Sequence, residues 1–76
     1  MAKLPVLSTR ELISALAKIG FRIEPGRGKG SHVFMYRDEP PTGVTIPSVR
    51  EIQRGTLRAI IRHVGLSPDE FNALLN

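Results

Sequence analysis

Ser31-His32-Val33-Phe34-Met35-Tyr36-Arg37 is the stretch on which the fold turns. Its β-branched and aromatic content reads as a strand. It is apolar at every position from Val33 to Tyr36, so either of its faces fits the inside of a sheet. That pattern suits a middle strand whose outer side is covered in turn by something else, a partner protein included. Upstream, Phe21 to Pro25 alternates apolar and charged residues, with Phe21 and Ile23 against Arg22 and Glu24, the period of a short half-buried strand. Gly26-Arg27-Gly28-Lys29-Gly30 is a basic glycine loop that joins the two as a hairpin. Downstream, Asp38-Glu39-Pro40-Pro41-Thr42-Gly43 is a turn, because proline cannot donate to a ladder, and Val44-Thr45-Ile46-Pro47 is the third strand. Phe21, Ile23, Val44 and Ile46 are expected to face the helices.

Helices bracket these strands. Ser8-Thr9-Arg10-Glu11 has the capping-box pattern, in which a hydroxyl and a carboxylate three residues apart satisfy each other's backbone amides. Leu12, Ile13, Leu16 and Ile19 form an apolar stripe, and Gly20 stands where a left-handed cap belongs, so a helix is expected over about 9–19. After a polar approach containing Gly55, the stripe Leu57, Ile60, Ile61 and Val64 marks a second helix stopped by Gly65. Ser67-Pro68-Asp69-Glu70 begins a short last helix that docks through Phe71, Leu74 and Leu75. The expected fold class is α+β: α-β-β-β-α, a three-stranded antiparallel sheet packed on one face by two helices, plus a short C-terminal helix.

A chain of 76 residues has room for a single domain, 1–76, and excludes a large multi-step enzyme. It has no cysteine and two histidines, which removes disulfides, thiolate catalysis and cysteine-ligated zinc. No carboxylate pair has acid/base or metal-ligand spacing, so neither a metal nor a cofactor is expected. The N-terminus lacks the apolar core of a signal peptide, and no stretch approaches the ~20 apolar residues of a membrane span, which points to the cytoplasm.

Charge is the informative count. Eleven Lys and Arg stand against seven Asp and Glu, a formal +4 that suits a polyanionic partner. One share of the excess lies at Arg22, Arg27, Lys29 and Arg37. Another lies at Arg50, Arg54, Arg58 and Arg62, the last three following one another at four-residue spacing on one side of the second helix. Like charges at i, i+4 repel by a few tenths of a kcal/mol, roughly, so this ridge is either a solvated helix face or a surface answered by phosphates or an acidic partner.

His32 follows Lys29-Gly30-Ser31, which gathers a titratable imidazole, a cation and a hydroxyl beside glycines that permit close approach. RNA cleavage can be built from such parts: a base for the 2′-hydroxyl proton and positive charge for the phosphorane. A single histidine at a strand end is more often a surface or half-buried residue satisfied by a neighbour. His63, in the last turn of the second helix, suits helix stabilisation or RNA contact. Phe34 and Tyr36 fit either the core or a stacked base. Glycines 26, 28 and 30 do not match the phosphate-loop spacing.

Taken together, Gly20-Phe21, Gly28-Lys29-Gly30-Ser31-His32, Val44-Thr45-Ile46-Pro47, Gly55-Thr56-Leu57-Arg58-Ala59-Ile60-Ile61-Arg62 and Gly65-Leu66-Ser67 resemble the HicA toxins, small mRNA interferases of bacterial toxin-antitoxin modules. The resemblance spans nearly the whole chain. It implies a double-stranded-RNA-binding-domain-like fold, endoribonuclease activity on mRNA, and a HicB antitoxin that neutralises the toxin by binding over it. It places the catalytic histidine on His32, with Lys29, Gly30 and Ser31 shaping the site. Arg27, Arg54, Arg58 and Arg62 are then candidate contacts to the RNA backbone. Many family members carry a second histidine shortly after the proline of the third strand; here that position is Val49. Two other readings of the residues stand beside this one: a non-catalytic RNA-binding module of the same fold, and a subunit whose basic surface meets an acidic protein.

Overall fold

The structure, a computed structural model, describes residues 3–26, 30 and 32–75. Helix α1 spans Thr9–Ala17. Ser8 Oγ accepts from the Glu11 amide at 3.2 Å while Glu11 Oε1 accepts from the Ser8 amide at 2.9 Å, closing the expected capping box. Leu12, Ala15 and Leu16 are its buried face. The helix ends two residues short of the expected boundary. Lys18, Ile19 and Gly20 bond three residues back rather than four, tightening the last turn before Gly20 reverses the chain at φ +97°.

The sheet has the order β1 (Arg22–Ile23), β2 (His32–Arg37), β3 (Thr42–Pro47), all antiparallel. β2 is indeed the middle strand, and its register settles the face that its composition left open. Val33, Met35 and Arg37 share the helix side with Val44 and Ile46 of β3; His32, Phe34 and Tyr36 share the outer side with Arg22, Gly43, Thr45 and Pro47. Met35, Val44 and Ile46 are buried. Phe21 is buried as expected, but Ile23 is 49% exposed. Alternation gave its face correctly, since it pairs with Met35, yet it stands on a two-residue edge strand that the helices do not cover.

Helix α2 (Arg54–His63) buries Leu57, Ile60 and Ile61, and helix α3 (Pro68–Ala73) buries Phe71 completely. Gly55 lies within α2 rather than in the approach to it. Ser67 and Glu70 make a second capping box. The core also takes Leu4, Leu7 and Ile52, which periodicity does not single out. They are buried because residues 4–9 lie antiparallel to residues 49–52: Ile52 donates to the Leu7 carbonyl at 2.7 Å and Thr9 to the Val49 carbonyl at 3.2 Å. Arg37 closes the opposite end of the sheet from the inside, its guanidinium 4.6 Å from the Phe21 ring centroid and donating to the Pro40 carbonyl.

Phe71 is the anchor of the C-terminal helix. Phe71→Ala is expected to cost about 3 kcal/mol, the lower end for a fully buried aromatic. Urea unfolding followed by circular dichroism should show the midpoint fall with the slope unchanged.

Candidate functional site

His32 opens β2 on the outer face of the sheet and is exposed, and its imidazole makes no hydrogen bond among the described residues. Gly30, just before it, has φ +60°, and a Cβ there would meet no atom within 4 Å. Arg27, Gly28, Lys29 and Ser31, which the sequence singled out with His32, lie outside the described residues.

What surrounds the histidine from the other side comes from far away in the chain. Its register partner is Pro47, the last residue of β3. The chain then runs through Ser48, Val49 and Arg50, held against the start of α1 by the amide and the hydroxyl of Thr9. Thr9 Oγ1 is 2.6 Å from the Pro47 carbonyl, 3.0 Å from the Val49 carbonyl, and accepts the Val49 amide at 2.8 Å. Ser8, Thr9, Arg10, Ser48, Val49 and Arg50 line a shallow depression there. Arg10 and Arg50 thus join the His32 end of the sheet. Sequence reasoning did not find Arg10, because its only signal is pairing between segments some 40 positions apart.

The helix-two ridge is arranged differently. Arg54, Arg58 and Arg62 are all exposed. Arg54 Nε donates to the Leu4 carbonyl at 2.9 Å, while Arg58 and Arg62 have no such partner among the described residues. His63 Nε2 lies 2.8 Å from the Gly43 carbonyl, so α2 runs back along β3, away from the Pro47 end. At a rise of ~1.5 Å per residue, Arg62 stands ~12 Å along the helix from Arg54. Only the start of the ridge is near His32. His63 therefore works as a tie between α2 and β3.

Phe34 and Tyr36 are half-buried on the outer face rather than in the core. The Phe34 ring covers Gly43, where a Cβ would come within 2.6 Å of it. Arg22 lies 5.6 Å over the Tyr36 ring and binds Asp38 at 2.9 and 3.3 Å. The Asp38 carboxylate, through its hydrogen bonds and then its charge, holds the Arg22 guanidinium above its already high ordinary pKa. Among the described residues, no three His, Asp or Glu side chains converge to hold a metal, and no helix is long and apolar enough to cross a membrane.

Residues 9–66 match the family model of the HicA toxin of bacterial toxin-antitoxin modules. The chain belongs to the HicA toxin family. Membership makes it the toxin component of a module whose other component is an antitoxin. No curated protein matches the chain. The matched span begins at Thr9, whose hydroxyl pins residues 47–49, and it contains His32 and the whole sheet.

Thr9 is the test of how this end is held. Thr9→Val removes the hydroxyl and leaves the Val49 amide unpaired, which is expected to cost about 1–2 kcal/mol. Amide exchange at Val49 should accelerate while Leu57, in the core of α2, stays protected.

Proposed function

We propose that this HicA-family toxin is an endoribonuclease that cleaves mRNA in the cytoplasm without a metal, with His32 as its single catalytic histidine, and that a HicB-type antitoxin silences it by covering this end of the sheet. The observation that carries the reading is the coincidence of the family match with an exposed imidazole on the sheet face opposite the helices. His32 serves as the base that takes the 2′-hydroxyl proton as that oxygen attacks phosphorus, or as the acid that protonates the departing 5′-oxygen. Such proton transfer contributes about 10²- to 10⁴-fold. Lys29 stabilises charge on the phosphorane, and Gly30 and Ser31 shape the site around His32. Arg27, Arg54, Arg58 and Arg62 contact the backbone.

His32→Ala is expected to reduce cleavage of labelled RNA at least ~100-fold and to relieve growth arrest on expression. Melting should barely move, because an exposed side chain that makes no hydrogen bond among the described residues contributes within about 0.5 kcal/mol. A His32→Ala protein that cuts RNA at the unmodified rate overturns the mechanism. The non-catalytic RNA-binding reading is favoured by one observation: Val49, where many relatives carry a second histidine, is an apolar side chain 44% exposed. On that reading the unmodified protein retains RNA without cutting it.

A further inference from the structure

The geometry points to a phosphate subsite for single-stranded RNA in the depression between Arg10 and Arg50, beside the scissile position at His32. This rests on the proposed RNA-cleaving function and adds to it where the RNA backbone runs. Both guanidiniums are exposed, and neither makes an ion pair or hydrogen bond with the described residues. Their chain neighbours Thr9 and Val49 are hydrogen-bonded to each other, so the two cations flank the depression from adjoining segments. Arg50 follows Pro47, the partner of His32, by three residues, at most ~10 Å of extended chain. An arginine fork matches phosphate oxygens in two-point geometry, so a guanidinium here can hold a phosphate next to the reacting one.

The start of α1 is not itself the anion holder. Its Thr9, Glu11 and Leu12 amides already bond to the Val49 carbonyl, Ser8 Oγ and the Ser8 carbonyl. Neither nearby acid pairs with them: the Glu11 carboxylate accepts from the Ser8 amide, and Glu51 is an exposed side chain that makes no ion pair with Arg50. The guanidiniums are what remains to be answered.

The test uses the full chain and a fluorescent 12-nucleotide 2′-O-methyl RNA, which cannot be cut through its 2′-oxygen. Binding is measured by anisotropy from 50 to 200 mM NaCl. Each phosphate contact in a single strand contributes about 0.7 to the slope of log K against log salt. Arg10→Gln/Arg50→Gln should therefore lower the slope by ~1.4, so that affinity falls ~7-fold less across this range than in the unmodified protein. Arg10→Lys/Arg50→Lys should keep the slope. Lys18→Gln makes the same unit charge change at the other end of α1, where Lys18 donates to the Leu74 carbonyl, and should leave the slope unchanged. The inference is overturned if the double glutamine variant keeps the full slope, or if Lys18→Gln lowers it equally per charge. Loss of antitoxin binding with an intact RNA slope likewise overturns it and assigns the depression to the protein partner. Because the ligand is uncleavable, none of these results depends on His32; absence of any RNA binding at 50 mM salt, with no cleavage of ordinary RNA, instead counts against the proposed function itself.

Discussion

The arrangement of the molecule depends on a short antiparallel contact between the N-terminal segment and the connection leading into α2. The Ile52 amide bonds to the Leu7 carbonyl at 2.7 Å, and the Thr9 hydroxyl ties Pro47 and Val49 beside it. With these bonds made, Leu4, Leu7 and Ile52 complete the core beneath both helices. Without them, α1 is positioned against the sheet by the packing of Leu12, Ala15 and Leu16 alone. The same contact fixes what stands next to His32. Fold and candidate site are coupled there through Thr9, by its amide and its hydroxyl together.

Features encoded within a few residues are legible in the sequence alone. The Ser8–Glu11 capping box forms with the partners its spacing names, α3 starts at the Ser67-Pro68 signal, and Gly20 and Gly65 adopt the left-handed φ that ending a helix there requires. Strand order follows from the turn chemistry of Asp38-Glu39-Pro40-Pro41 and the loop before His32. The illegible parts are those that depend on what lies across space. Alternation tells which side Ile23 faces but not that no helix reaches it. A continuous apolar run hides which side of β2 is inner, and only pairing with Val44 and Ile46 settles it. The Leu7 to Ile52 contact leaves no periodic trace, so Arg10 is invisible as a neighbour of Arg50.

The surplus of positive charge divides into parts with different work. Arg37 is turned inward against Phe21, and Arg22 is held by Asp38, so both serve the fold. Arg54 is tied to Leu4 through its Nε. Arg10, Arg50, Arg58 and Arg62 are left facing solvent with no acidic partner among the described residues. Net charge alone suggests a polyanion; placement narrows the cations able to meet one.

The tie between His63 and Gly43 has a consequence for how another protein can approach. Because Glu24 bonds to Phe34, the backbone groups of Val33, Met35 and Arg37 point toward β3, and those of Gly43, Thr45 and Pro47 point off the rim of the sheet. That rim would be a template for adding a foreign strand. Its Gly43 carbonyl already meets His63, its Pro47 carbonyl already accepts from Thr9, and Pro47 has no amide to offer. Thr45 alone keeps both groups available, too little for a ladder. The β3 rim is therefore a poor place for a partner, or a second copy of the toxin, to extend the sheet.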